Sequence, residues 1–252
     1  MNYPGGKNAV YQKIINQMPP HDVYIEPFLG SGAVMRMKQP ARINYGLDLD
    51  SEQLKAVKDV ITKPIGTTWL FFNKDAIEWL SENTVEPDDL IYLDPPYLHS
   101  TRRSPRQLYR YELTDDDHQR LLSIITGLDC YVMISGYWSQ MYAEALTDWR
   151  YITFEAMTRG GAPATEYLWM NYPEPEALHD YRYLGANYRE RERIKRKKQR
   201  WVKKLQGLDV LERRAILWAI EESGIARNDD AGSALVKNDG TAGSSGMAVK
   251  HG

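Results

Sequence analysis

Leu90-Ile91-Tyr92-Leu93-Asp94-Pro95-Pro96-Tyr97 is an apolar run closed by an acid, two prolines and a tyrosine. The run predicts a strand over Leu90–Asp94. Two prolines cannot continue a central strand, so the chain must turn out of the sheet at Pro95. Their fixed φ stiffens that turn. An acid, a carbonyl-bearing turn and an aromatic ring are thus displayed together at the carboxyl end of a strand.

The same alternation continues on both sides. Strands are predicted at Val23–Phe28, Ile43–Asp48, Thr67–Asn73, Cys130–Ser135, Tyr151–Ala156 and Glu166–Tyr172. Helices are predicted at Lys7–Met18, Gly32–Lys38, Ser51–Ile61, Asp75–Ser81, Asp115–Ile125 and Ser139–Leu146. Strand–helix alternation specifies an α/β, doubly wound parallel sheet. Only Met157–Thr165 separates the last two strands, too short for a helical crossover, so these should pair antiparallel. Asp50 with Gln53, and Thr114 with Asp117, mark helix starts as N-caps with third-position partners.

The loop Glu26-Pro27-Phe28-Leu29-Gly30-Ser31-Gly32 follows the first strand and opens a helix. Its glycines let backbone turn tightly and approach a ligand. The crevice at the carboxyl ends of the strands is where doubly wound sheets bind ligands. The loop lacks the third glycine of a dinucleotide fingerprint, because Met35 occupies that position. Asp48 ends the second strand, 16 residues after Gly32. A carboxylate there can accept hydrogen bonds from a ribose; otherwise it is a strand-end turn residue. Upstream, Tyr3-Pro4-Gly5-Gly6-Lys7 is a tight glycine turn ending in a cation, which in isolation reads as an N-terminal turn with a solvated lysine.

The chemistry that needs Asp94-Pro95-Pro96-Tyr97 is transfer to an aromatic amine. The exocyclic nitrogen of adenine is a poor nucleophile, since its lone pair is delocalised into the ring. A carboxylate and a backbone carbonyl can each accept one N–H, holding the nitrogen with its lone pair aimed at the incoming group. Positioning of this kind can lower a barrier by up to roughly 7–11 kcal/mol. Tyr97 can stack on an extruded base, a contact that contributes roughly 1–3 kcal/mol.

The 252 residues fit one α/β domain with an appendage, and 42% apolar content allows a sizeable core. No run approaches the eighteen or so apolar residues of a membrane span, and MNYPGGKNAVYQK has no leader-like apolar run. The single Cys130 excludes a disulfide framework and favours a reducing cytoplasm. No His/Cys cluster has metal-ligand spacing, so no metal is expected. Net charge is −2, yet between Arg182 and Arg214 13 Lys or Arg stand against 4 Asp or Glu. An acidic body with so concentrated a basic segment indicates nucleic-acid contact.

Two segments could make that contact. His99–Tyr111 follows the tetrad and interleaves Arg102, Arg103, Arg106 and Arg110 with Tyr109 and Tyr111, a composition suited to gripping phosphates beside an extruded base. A long helix over Tyr181–Gln206 places Ile194, Trp201, Leu205 and Leu208 on one stripe and leaves Arg196, Lys197, Arg200, Lys203 and Lys204 available to phosphates. A second helix starts at the cap Asp209 and stops before Gly224. The resulting division is a catalytic domain over 1–175, a basic helical extension over 176–224 and a disordered tail over 225–252.

The order glycine-lysine motif, cofactor loop, Asp94-Pro95-Pro96-Tyr97 resembles the Dam-like N6-adenine-specific DNA methyltransferases, over roughly residues 1–175. The resemblance implies a Rossmann-like seven-stranded S-adenosylmethionine-dependent methyltransferase fold ending in a reversed hairpin. It implies that Tyr3, Gly5, Gly6 and Lys7 hold the methionine end of S-adenosyl-L-methionine, and that Glu26, Phe28, Gly30 and Gly32 line the cofactor. Asp48 would bind the ribose; Asp75 would meet the cofactor adenine or cap the helix that follows. Asp94 and the Pro95 carbonyl would hold the target N6, with Pro96 stiffening the turn and Tyr97 stacking. The implied partner is double-stranded DNA, with a homodimer through the C-terminal helices and a phage or mobile-element setting as further expectations. Relatives with defined targets carry a recognition domain between the cofactor acids and the tetrad. Only 18 residues separate Asp75 from Asp94 here, so relaxed sequence specificity is expected. The alternatives are an RNA adenine or cytosine N4 methyltransferase, and a non-catalytic nucleic-acid-binding protein with the same body.

Overall fold

The computed structural model describes residues 7–101, 110–157 and 163–224. Within them a seven-stranded sheet has the order β3-β2-β1-β4-β5-β7-β6. Its strands are β1 (Val23–Glu26), β2 (Ile43–Leu47), β3 (Thr68–Phe72), β4 (Leu90–Leu93), β5 (Tyr131–Gly136), β6 (Arg150–Met157) and β7 (Pro163–Met170). The first five are parallel; β7 runs antiparallel to both β5 and β6. The short β6–β7 connection forces that reversal, as expected.

Strand β4 is fully buried on both faces, and its alternation divides the core. Leu90 and Tyr92 pack with Tyr24, Met133 and Leu168 on one side. Ile91 and Leu93 pack with Ile25, Val132 and Ile134 on the other. Successive side chains of a strand point to opposite faces, so one run of four feeds two cores. The buried Tyr92 hydroxyl pairs with Ser135 Oγ at 3.0 Å.

The helices are α1 (Tyr11–Ile15), α2 (Ala33–Met37), α3 (Ser51–Val60), α4 (Ala76–Glu82), α5 (Asp115–Ile125), α6 (Gln140–Ala145), α7 (Tyr188–Gln206) and α8 (Val210–Glu222). Thr114 and Asp117 form a reciprocal capping box on α5. Asp50 caps α3 by accepting from the Glu52 and Gln53 N–H groups. Asp50→Ala should therefore cost about 1 kcal/mol of stability, read as a shift of the urea midpoint at constant slope. No helix among the described residues is long and apolar enough to cross a membrane.

Two helices differ from expectation. The predicted Lys7–Met18 helix is a 3-10 turn at Lys7–Ala9 followed by the short α1, with Val10 at φ −126° between them. It ends at Ile15 with Asn16 as C-cap, and it could not run past Met18, which precedes Pro19 and is biased to extended backbone. The long basic helix begins at Tyr188, not Tyr181. Gly185 lies at φ 132°, outside helical space. Asn187 Oδ1 then accepts from Glu190 N, and Glu190 Oε2 accepts from Ala186 N, fixing the later start.

The chain divides into two compact units, Met1–Val202 and Lys203–Gly252. Residues 176–202, expected with the extension, thus cluster with the body. The reason is a strap at residues 178–183. His179 N donates to Met18 O, and the His179 ring stacks on His21 at 3.8 Å. Buried Asp180 accepts from Gln39 N at 2.9 Å and from the Arg182 guanidinium at 2.7 Å. Arg182 and the Tyr183 hydroxyl both donate to Met37 O. The predicted tail over 225–252 lies outside the described residues.

Candidate active site

The sheet order places β1 beside β4, and the chain winds in opposite directions from these two strands. Ligand clefts open at such a switch point, outside the carboxyl ends of the strands. Here the loops after β1, β2 and β4 meet around a cavity of about 240 Å³. Its wall includes Lys7, Glu26, Phe28, Gly30, Asp48, Asp75, Asp94 and Pro96. Arg110–Leu113 closes another side; Arg110 and Tyr111 were expected at DNA, and Glu112 and Leu113 were not singled out.

The glycine loop is shaped by conformation. Gly30 (φ 48°) and Gly32 (φ 58°) both occupy left-handed space, which a side chain would make costly. Leu29 N donates to Leu47 O, tying the loop to β2. Asp48 joins the loops by accepting from Gly30 N through Oδ2 and from Asp50 N through Oδ1, each at 2.8 Å. Burial raises the Asp48 pKa, and these two donors oppose the rise. Each carboxylate oxygen can accept more than one hydrogen bond, so a ribose role and this bracing role are compatible. Asp75 also has two tasks. It caps α4 through the Ile77 and Glu78 N–H groups, and it lines the cavity.

Lys7 is not solvated. It is 3% exposed, and its ammonium lies 2.8 Å from Asp94 Oδ1. It donates to the Tyr97 hydroxyl oxygen at 2.7 Å, and that hydroxyl donates to Asp94 Oδ1 at 3.2 Å. Glu166 Oε2, from β7, stands 3.5 Å from the same ammonium. Burial works against the Lys7 charge, but Asp94 and Glu166 outweigh it and leave the pKa raised. Burial raises the Asp94 pKa despite the opposing pull of Lys7 and Tyr97. The Tyr97 ring meets Tyr137 edge-on at 4.6 Å. Glu26 is held by the Tyr24 hydroxyl at 2.8 Å, and burial pushes its carboxyl up to about 8.

The sequence matches the D12 class N6 adenine-specific DNA methyltransferase family over residues 3–78 and 44–159, more than half its length. The chain belongs to the D12 class of N6 adenine-specific DNA methyltransferases. No curated relative matches it by sequence. Among solved structures, it is similar to a SAM-dependent methyltransferase from Methanosarcina mazei, with 11% identity, TM-score 0.45, and 64% of this chain and 96% of that one covered. It is also similar to precorrin 8w decarboxylase of Methanobacterium thermoautotrophicum, with 14% identity, TM-score 0.44, and coverages of 68% and 94%. A third is the magnesium protoporphyrin IX methyltransferase of Synechocystis with bound SAM, with 13% identity, TM-score 0.41, and coverages of 64% and 75%.

For this D12 family member, Lys7, Glu26, Phe28, Gly30, Asp48, Asp75, Asp94 and Pro96 converge on one cavity, with Gly32 next to it on the loop and Tyr97 bonded to Asp94. Tyr3, Gly5, Gly6, Arg102, Arg103, Arg106 and Tyr109 lie outside the described residues. Arg110 sits at the cavity rim, 3.6 Å from Asp50 Oδ1 and 3.8 Å from Glu52 Oε2. Arg196, Lys197 and Arg200 are exposed on α7, as are Lys203 and Lys204 in its last turn. Glu166 and Tyr137 were missed. The signal for Glu166 was a carboxylate in an otherwise apolar strand, Glu166-Tyr167-Leu168-Trp169-Met170.

Proposed function

We propose that this methyltransferase moves the methyl group of S-adenosyl-L-methionine to N6 of an adenine extruded from double-stranded DNA. The observation that carries the reading is that Asp94 and Pro96 of the Asp94-Pro95-Pro96-Tyr97 turn line the same cavity as the glycine loop, within a chain of the D12 class. The residues present suit the donor: Gly30 admits close backbone approach, Asp48 offers a carboxylate for a diol, and Asp75 lies farther along the wall. When bound, S-adenosylmethionine supplies an electrophilic methyl group on a sulfonium that leaves as a neutral thioether. No acid is needed for that departure.

This chain's own residues act on the amine. Asp94 accepts one N–H and the Pro95 carbonyl the other, which holds N6 and turns its lone pair towards the donor. Lys7 and the Tyr97 hydroxyl both sit on Oδ1 of Asp94 and so fix the rotation of that carboxylate. Tyr97 supplies the stacking surface for the flipped base. Asp94 also takes up the proton that N6 sheds once alkylated.

DNA contact falls to the Arg102–Tyr111 segment and to the basic face of α7. Phosphate contacts give affinity with little sequence preference, which supports relaxed specificity in a chain with only 18 residues between Asp75 and Asp94. Replacing Arg196, Lys197 and Arg200 together by alanine should weaken binding equally across sequences. The slope of log affinity against log salt should flatten by about 0.9 for each phosphate no longer neutralised; filter binding at graded salt reads both. Exposed Leu211, Leu217 and Trp218 on α8 support self-association through the C-terminal helices.

Nucleoside mass spectrometry tests the central reading. Unmethylated DNA and RNA are each incubated with the protein and S-adenosylmethionine. N6-methyldeoxyadenosine in the DNA is expected, spread over many sequence contexts. Modified RNA with unmodified DNA, or N4-methylcytosine, would overturn the substrate; a map confined to one short palindrome would overturn relaxed specificity.

A further inference from the structure

The buried charges at the reaction centre do not end with Asp94 and Lys7. Glu166 lies on β7, paired in register with Phe154 of β6, and is 4% exposed. Its Oε2 is buried, and the carboxylate meets Lys7 and the Tyr97 hydroxyl. A carboxylate so placed is costly to desolvate unless a counter-charge meets it. The only ammonium the described residues bring near it is that of Lys7, at 3.5 Å. That ammonium also contacts Asp94 at 2.8 Å. One cation is thus shared between two carboxylates, and when all three are ionised the cluster carries one net negative charge.

The consequence follows from the proposed chemistry, on which this inference rests. During transfer, positive charge moves from the sulfonium onto the amine nitrogen. Stabilising it requires negative charge at the acceptor. Asp94 with Lys7 alone is a neutral pair whose ammonium draws electron density away from the acceptor. We propose that Glu166 is a positioning residue for methyl transfer, which offsets Lys7 and so leaves Asp94 net anionic towards the target amine. Burial raises the pKa of both carboxyls and Lys7 lowers both, while the Asp94 charge raises that of Glu166; like charges this close repel one another. Removing Glu166 leaves Lys7 to Asp94 alone, so Asp94 becomes easier to ionise and a weaker acceptor. Tyr97, Glu26, Tyr24, Tyr92 and Tyr142 also face Asp94; of these, Tyr97 also hydrogen-bonds Glu166, and the glutamine carbonyl keeps an acceptor for it.

The test is Glu166→Gln in the full chain, assayed by single-turnover DNA methylation between about pH 5 and 9. The rate at neutral pH should fall by roughly 10- to 100-fold. KM for S-adenosylmethionine and for DNA should stay within about threefold. The acid limb of the rate profile should move down by about one pH unit, and Glu166→Asp should recover part of the rate. A purely structural role lowers thermal stability without moving the acid limb, and that result overturns the proposal, as does an unchanged rate. A substrate-free measurement separates this from the substrate assignment: titration of the Asp94 carboxyl by 13C NMR, with Asp94→Asn protein to assign the signal. If wild type fails on DNA, the proposed substrate falls, while a lowered Asp94 titration in Glu166→Gln still supports the charge offset and an unmoved one still sinks it. Should Glu166→Gln not fold, the same titration on Glu166→Leu, neutral and of similar size, decides by the same criterion.

Discussion

Asp94→Ala should reduce single-turnover methylation by at least about a thousandfold, or roughly 4 kcal/mol of barrier, while cofactor binding by calorimetry changes little. In the proposed reaction the side chain supplies one of the two acceptors that hold the amine, and removing one preorganised electrostatic partner typically costs about 10²–10³ in rate. The loss here extends further. Lys7 and the Tyr97 hydroxyl both bond to Asp94 Oδ1, so alanine also releases the group that fixes the tyrosine. Folding should survive, since Glu166 remains as counter-charge to the buried ammonium. Asp94→Asn retains a carbonyl acceptor of the same shape and should lie between alanine and wild type. An alanine variant that keeps more than a tenth of the rate would remove Asp94 from the chemistry.

The second large effect is expected at Gly32. Its φ of 58° lies in left-handed space, and a Cβ built there stands 2.8 Å from Val57 Cγ1 and 3.5 Å from Leu29 Cδ1. Gly32→Val combines two costs. The backbone conformation disfavours a side chain by about 1–2 kcal/mol, more for a β-branched one. Overpacking against α3 adds about 1–3 kcal/mol. Stability in urea should fall by about 2–5 kcal/mol, and affinity for S-adenosylmethionine should fall with it as the loop shifts off Asp48. Gly32→Ala should show a smaller version of both. Adding Val57→Ala should restore part of the stability, because it removes the steric component and leaves the backbone cost. If the double variant gains nothing, the contact with α3 is not the cause.

What could be read from the sequence was local chemistry. The strand Leu90–Leu93 announces itself because four apolar residues end at two prolines, and the structure buries it on both faces as an interior strand of the parallel portion. The caps Asp50, Thr114 and Asp209 were legible because an N-cap acts within three residues of itself. Glycines 30 and 32 were legible because few other residues tolerate such a turn. The network around Lys7 was not. Its partners Asp94, Tyr97 and Glu166 are far away in the chain, and only the parallel pairing of β4 with β5 and the reversed β7 bring them together. The strap at residues 178–183 was hidden for a related reason. Its targets, Met37 O and Gln39 N, are backbone groups, which carry no sequence signature.

That strap fixes where the catalytic body can be cut. A chain stopped at residue 175, just beyond the last strand, would leave Gln39 N and Met37 O facing water and strip the cover from His21, whose burial holds its pKa down to about 2. A truncation that keeps these contacts therefore has to run at least through Tyr183, and a fusion partner belongs after that point. The border drawn by strands and motifs and the border drawn by these contacts are some eight residues apart.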